Sequence, residues 1–176
     1  MLTLKALLLV SAIPVVSAST VDVCLVNENA LAPETMRSIE DGLRTQEREL
    51  GISLRFTCTF EDREANTGGR VLMRLRGAPA SHQDPDALGA AMVQDGRVLP
   101  DLEVFCNSVR RTVETLRPVS PELEGWAVSK VAAHELYHYV WNEHEHRRNR
   151  VNEKFMTAAE LIHGFRSRKP VVNAKR

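Results

Sequence analysis

The stretch that most constrains this chain is His134-Glu135-Leu136-Tyr137-His138, which has the form H-E-x-x-H and closes an apolar, helix-like run. Residues four apart on a helix differ by about 40° of rotation, so both imidazoles project from one face. Glu135 lies about 100° from His134, where its carboxylate reaches a metal-bound water without being a ligand. The stretch predicts a helix carrying a hydrolytic centre with one zinc ion. An amphipathic helix with two surface histidines is the alternative.

The flanking residues predict where this helix begins and ends. Ser120 is suited to the N-cap and Pro121 to the first helical position, and Glu122 and Glu124 fall in the first turn. Asn142 follows the last apolar residues, and asparagine tolerates the left-handed conformation that ends a helix. We therefore expect the chain to turn back at Asn142 and to return a third ligand toward the metal.

The third ligand has several candidates. A catalytic zinc site usually has three protein ligands and one open position. His144 stands two residues past the predicted turn, whereas His146 stands four past and has more reach, so we favour His146 and keep His144 as the alternative. Glu160, in a helix-like segment over 156–162, is a further alternative, and His163 is expected at the surface. No aspartate follows Asp101, which excludes an aspartate ligand from the later part of the chain.

Both ends of the 176-residue chain differ from its middle. Residues 1–18 combine Lys5, an apolar run and a small-residue cleavage pattern, which predicts a signal peptide cleaved after Ala18 and a secreted or periplasmic protein. We expect one domain over 19–165, which carries the predicted zinc site, and a basic flexible tail over 166–176. The 23 basic and 23 acidic residues balance, which argues against a nucleic-acid partner. We also expect a monomer without stable membrane insertion.

Alternating and helical patterns predict the remaining elements. The Asp95-Gly96 pair is a strong turn signal, so the two runs that flank it are expected to be antiparallel. Pro33 suits the start of the first helix, and Gly51 its end. The predicted strands are 21–26, 52–60, 71–75, 87–93 and 102–105, and the predicted helices are 34–50 and 108–116.

Three cysteines lie beyond the predicted signal peptide, at Cys24, Cys58 and Cys106. An exported chain can oxidise two of them, and one is left over. Each is assigned to a predicted strand, so any pair is conceivable. We favour Cys58 with Cys106.

From His134 onward the sequence resembles the metzincin class of zinc proteases, whose signature is HExxHxxGxxH followed by a methionine turn. In strict alignment the third histidine is His144, and Trp141 takes the glycine position. Small secreted bacterial metzincin-like proteins with a pattern like HEIGHxLLGxxxH are closer in form, because Asn142 then takes the place of the glycine. In that alignment the third ligand is His146.

The same resemblance extends over about 21–162 and includes the segment 87–90, which is similar to the edge-strand region of that group. It implies a single α+β metzincin-like domain, with a twisted mixed β-sheet of about five short strands packed on helices. Met156 takes the place of the methionine of the turn and would form an apolar floor under the metal. Tyr137 departs from the pattern, which often has glycine there.

The function that the resemblance implies is a secreted zinc metalloendopeptidase acting on a peptide or protein substrate. Zinc held by His134, His138 and His146 activates a water, and Glu135 acts as general base and then passes the proton to the leaving amine. One alternative is a catalytically weak or inactive metzincin-like module that binds zinc for binding or structure. A second is a gluzincin-type site with Glu160 as third ligand.

Overall fold

The computed structural model of the chain describes residues 19–58, 70–81, 83–143 and 156–165. The predicted signal peptide over 1–18 and the basic tail over 166–176 lie outside the described residues. The described part contains five strands and four helices, in the order β1 (Thr20–Asn27), α1 (Pro33–Leu50), β2 (Ser53–Phe56), β3 (Arg70–Arg76), β4 (Gly89–Gln94), β5 (Arg97–Phe105), α2 (Cys106–Glu114), α3 (Pro121–Trp141) and α4 (Ala158–Ile162). None of these helices is both long enough and apolar enough to cross a bilayer.

The strands form one mixed sheet in the order β2-β1-β3-β5-β4. The first four strands of that order are parallel, and β4 pairs antiparallel with β5 at the edge of the sheet. The Asp95-Gly96 turn that joins them has φ values of 51° and 72°, and a two-residue hairpin turn of this kind needs positive φ at both positions. The predicted α+β class, the mixed sheet and the antiparallel pair are thereby confirmed.

The two faces of the sheet differ in chemistry, as the alternation in β3 shows. Val71, Met73 and Leu75 are fully buried and belong to the hydrophobic core, which also contains residues of α1 and α3. Arg74 and Arg76 point to the opposite face and are only half-buried. There Arg74 donates to Asp101 of β5 over 2.9 Å. The core therefore lies between the sheet and the helices, on the side that carries the motif.

Helix α1 begins and ends at the residues that the sequence predicts. Pro33 occupies its first turn, and Gly51 follows it with φ 70° and ψ 21°. The N–H of Ile52 donates to the carbonyl of Glu47 over 3.2 Å, which satisfies a carbonyl that the last turn leaves open. The left-handed residue at 51 thus turns the chain directly into β2.

Helices α1 and α3 approach each other closely through small residues. A Cβ added at Gly42 of α1 would lie 2.1 Å from Ser129 Oγ, and one at Gly125 of α3 would lie 2.5 Å from the Thr35 carbonyl oxygen. Gln46 is buried in the same contact and donates to the Ser129 carbonyl over 3.2 Å. Helix α3 is therefore held against α1 along one side.

The disulfide joins Cys24 to Cys58, with 4.9 Å between the two Cα atoms, and the favoured pairing of Cys58 with Cys106 is wrong. The reason is the strand order, because β2 lies beside β1 whereas β1 and β3 separate it from β5. Cys106 is not in a strand but begins α2, where its thiol is free and buried. Burial raises the pKa of that thiol to about 12.

Candidate metal centre

Helix α3 presents the H-E-x-x-H residues to the interior. Ser120 caps it by accepting a hydrogen bond from the Leu123 N–H over 3.3 Å, as predicted. His134, Glu135 and His138 are 7%, 5% and 5% exposed. This burial contradicts the alternative in which the two histidines lie on a solvated surface.

The two imidazoles converge on one point. Their Nε2 atoms are 3.1 Å apart, with the ring centroids 4.7 Å apart and the ring planes at 87°. Two histidine nitrogens bound tetrahedrally to one zinc ion, each at about 2.0–2.1 Å, are separated by roughly 3.3 Å. The spacing and the donor type therefore fit a single zinc ion held by His134 and His138.

The backbone after the helix fixes which nitrogen of His138 is available to a metal. Its Nδ1 makes a short hydrogen bond with the carbonyl oxygen of Glu143. A carbonyl can only accept, so Nδ1 carries the hydrogen and Nε2 keeps its lone pair. The ring is thus oriented by a partner behind it, as is usual for metal-binding histidines.

The turn at Asn142 places that carbonyl. Asn142 has φ 47° and ψ 39°, which confirms the predicted left-handed end of the helix. The Glu143 N–H returns to the carbonyl of His138 over 3.1 Å, so Glu143 lies beside the last turn. The sequence indicated the turn but gave no signal for the role of the Glu143 carbonyl.

The Asn142 side chain makes a further connection that sequence reasoning missed. Its Oδ1 accepts from the Val98 N–H over 2.8 Å, and its Nδ2 donates to the Gly96 carbonyl over 3.3 Å. Both partners belong to the hairpin formed by β4 and β5. The end of the motif helix is therefore bonded to the edge hairpin.

Glu135 lies against the first residue of the edge strand. A Cβ built on Gly89 would be 2.6 Å from Glu135 Oε1 and 2.9 Å from Val131 Cγ1. Only a residue without a side chain leaves this space for the carboxylate. Because burial disfavours the charged form, the pKa of Glu135 rises to about 8.

Tyr137 contacts two residues close to the turn at Asn142. Tyr137 donates its hydroxyl to Glu143 Oε2 over 3.3 Å, and its ring lies 6.4 Å from that of Trp141. Tyr137 stands where the resembled pattern often has glycine. Here its side chain occupies the space beside the helix end and bonds to the residue that holds His138.

The remaining predicted site residues fall into two groups. His144 and His146 lie outside the described residues, so the choice between them stays a prediction. Met156 is half-buried and packs against the core. Glu160 is exposed, and its Oε2 accepts from the Thr157 N–H over 2.6 Å in a capping box at the start of α4.

Within the described ranges, no group of three histidine, cysteine, aspartate or glutamate residues is placed to hold a metal. Glu160 therefore does not join His134 and His138 in such a group. His163 is exposed, as expected, and its carbonyl accepts from Trp126 Nε1 over 3.3 Å.

The fold resembles that of one solved structure in particular. Archaemetzincin from Methanopyrus kandleri superposes with a TM-score of 0.51 and 18% sequence identity, over 85% of this chain and 88% of that one. No protein-family model matches the sequence, and no curated protein matches it. The likeness shows that this chain has an archaemetzincin-like α+β fold.

Proposed function

We propose that the protein is a zinc-dependent metallopeptidase that hydrolyses peptide bonds. The observation that carries the proposal is the pair of convergent imidazoles of His134 and His138, with Glu135 buried beside them against the edge strand. This constellation occurs on a metzincin-like fold. Fold and residue chemistry thus point to the same class of reaction.

His134 and His138 would hold the zinc ion through Nε2, and His146 is the third ligand that we favour. Bound there, zinc supplies a Lewis acid that acidifies water and polarises a carbonyl. Met156, which packs against the core, would lie beneath the site. The Glu143 carbonyl accepts from His138 Nδ1, so the lone pair of the imidazole is on Nε2, the atom that would bind the metal.

Glu135 acts as the general base. Its carboxylate takes a proton from the water that attacks the peptide carbonyl and passes it to the departing amine. The apolar surroundings exclude competing water and strengthen the electrostatic interactions of the carboxylate. The space left by Gly89 sets where the carboxylate stands relative to β4.

The edge strand β4 provides a binding surface for an extended peptide. β4 is the last strand of the described sheet, so the backbone groups on its outer side do not face another described strand. An extended peptide can pair with such an edge through main-chain hydrogen bonds. Gly89 brings that edge next to Glu135, which aligns a scissile bond with the base.

We also propose that the protein acts outside the cytoplasm, secreted or periplasmic, as a monomer after removal of residues 1–18. The Cys24–Cys58 disulfide supports an oxidising compartment. The apolar character of the leader supports the same route.

The test is Glu135→Gln, assayed against a broad peptide library with the zinc content measured in parallel. We expect peptide hydrolysis to fall by roughly 10²–10⁴-fold, the range for loss of a general base, while zinc content is retained. Glu160→Gln is a matched control at an exposed carboxylate and keeps activity. Unchanged hydrolysis in Glu135→Gln would refute the mechanism. A zinc-loaded wild type that hydrolyses no peptide would favour a binding module.

A further inference from the structure

We propose that Asn142 is a positioning residue that fastens the peptide-binding hairpin and the zinc-binding histidine to one point. Its backbone conformation places the carbonyl that orients His138, and its side-chain amide holds the β4–β5 hairpin. The parts of this inference that concern zinc and peptide binding rest on the proposed function. The hydrogen bonds of Asn142 to the hairpin do not depend on that function.

The backbone contribution depends on the left-handed conformation. At φ 47° and ψ 39° the chain reverses after Trp141, and the Glu143 N–H reaches the His138 carbonyl. The Glu143 carbonyl then accepts from His138 Nδ1. A residue that resists positive φ would disturb this return, and with it the orientation of the imidazole.

The side-chain contribution depends on an amide. Oδ1 accepts from the Val98 N–H while Nδ2 donates to the Gly96 carbonyl, so a donor and an acceptor are needed together. Aspartate retains only the acceptor, and glycine and alanine have neither. Val98 is 7% exposed, and the bond to its N–H is part-buried, whereas the bond to the Gly96 carbonyl is exposed.

The hairpin contact fixes β4 at a second point. Gly89, at the start of the strand, lies against Glu135, and the turn at its other end is bonded to Asn142. Both contacts are to α3 or to the residue that ends it. The strand that would seat the peptide is thus held in place relative to the general base and to His138.

The two contributions can be separated by two substitutions. Asn142→Gly retains the left-handed turn and removes the amide, whereas Asn142→Ala removes the amide and disfavours the turn. Gly51→Ala is the matched control, because it places alanine in the same backbone conformation at the end of α1. Asn142→Asp tolerates the turn and keeps the acceptor alone, so it tests the amide donor separately.

The experiment measures zinc affinity by chelator competition and amide exchange of Val98 in the full chain. In Asn142→Gly we expect exchange at Val98 to be roughly fivefold faster, with zinc affinity within about twofold of wild type. In Asn142→Ala we expect the same faster exchange and a roughly tenfold lower zinc affinity. Gly51→Ala should change neither, and Asn142→Asp should leave zinc affinity close to that of Asn142→Gly.

Kinetics supply a third measurement. Asn142→Gly should raise KM severalfold with kcat within about twofold, because the peptide seat is loosened while the ligand is held. Wild-type exchange at Val98 in Asn142→Gly would overturn the amide role. Wild-type zinc affinity in Asn142→Ala would overturn the backbone role. Exchange and zinc affinity need no substrate, so an absence of hydrolysis would count against the peptidase function alone.

Discussion

Helices α1 and α3 share a local design but bury different chemistry. Each begins at a proline and is followed by a left-handed residue, Gly51 in one case and Asn142 in the other. The buried polar residues of α1 are the neutral Thr35 and Gln46. Helix α3 buries two histidines and Glu135. Both helices contribute apolar residues to the core, but α3 also bears the desolvation cost of burying ionisable side chains.

The two regions are also fastened differently. The Cys24–Cys58 disulfide closes a loop that contains the second half of β1 and all of α1 and β2. The end of α3 is joined to the hairpin by the hydrogen bonds of Asn142. A covalent link secures the supporting unit, while weaker contacts set the geometry of the site.

Removal of the disulfide should produce the largest change and should be confined to stability. The two cysteines are 34 positions apart, and closing a loop of that length contributes about 3–4 kcal/mol by restricting the unfolded chain. We expect Cys24→Ala with Cys58→Ala to lower the free energy of unfolding by that amount in a urea titration. Zinc affinity of the folded variant should be unchanged.

The control for that experiment is Cys106→Ala, which removes a buried thiol that takes no part in a disulfide. It should cost about 1 kcal/mol. If the double variant loses no more unfolding free energy than Cys106→Ala, the disulfide does not stabilise the β1–α1–β2 region more than ordinary contacts do.

The buried carboxylate of α3 should produce the second largest change, measured in metal-free protein. Burial raises the pKa of Glu135 from 4.5 in the unfolded chain to about 8 in the folded one. Between these values the folded state binds the proton more tightly, so stability is highest below pH about 4.5 and falls as pH rises through about 8. Glu135→Gln is neutral throughout, and it should be more stable than wild type by on the order of 3 kcal/mol near neutral pH.

Thermal melting in the presence of a chelator, at acidic and at neutral pH, tests the direction of this pH dependence of stability. The advantage of Glu135→Gln should shrink at acidic pH, where the wild-type carboxyl is protonated. Glu49→Gln, at an exposed position of α1, should follow the wild-type curve. If the difference in stability between Glu135→Gln and wild type did not change with pH, burial of the Glu135 carboxylate would not be its cause.

The smallest change is expected at the end of α1. Gly51→Ala should lower the free energy of unfolding by about 1 kcal/mol, since alanine is disfavoured at positive φ. The added Cβ would lie 3.6 Å from Trp141 Cζ2, an ordinary contact, so the loss is one of backbone conformation. Gly51→Asn should lose less in the same melting assay. Equal losses for both would assign the effect to side-chain contact instead.

The local features of the fold could be predicted from the sequence because they depend on neighbouring residues. Ser120 and Pro121 mark the start of α3, and Gly51, Asp95-Gly96 and Asn142 mark turns whose backbone conformation few residues adopt. The spacing of the two histidines likewise fixes their shared helix face. None of these features depends on the order of the strands in the sheet.

The features that could not be predicted depend on strand order. The alternation over 52–60 predicts a longer strand, but β2 ends at Phe56, the last residue that pairs with β1, opposite Val23. The disulfide follows the same pairing. The contact between Gly89 and Glu135 and the bonds of Asn142 to the hairpin join residues more than 40 positions apart. Short-range sequence patterns do not indicate which residues far apart in the chain are in contact.

The irregular pairing of β4 also bears on self-association. Exposed edge strands favour the stacking of identical chains, and Met92 and Val93 on this edge are 54% and 49% exposed. The register shift between Ala91 and Val93 interrupts the strand between Gly89, which lies beside Glu135, and the hairpin turn. A second molecule cannot form a long flat ladder across such a bulge, whereas a short extended segment can pair on one side of it. The irregularity therefore disfavours extended pairing of this edge with another copy of the chain.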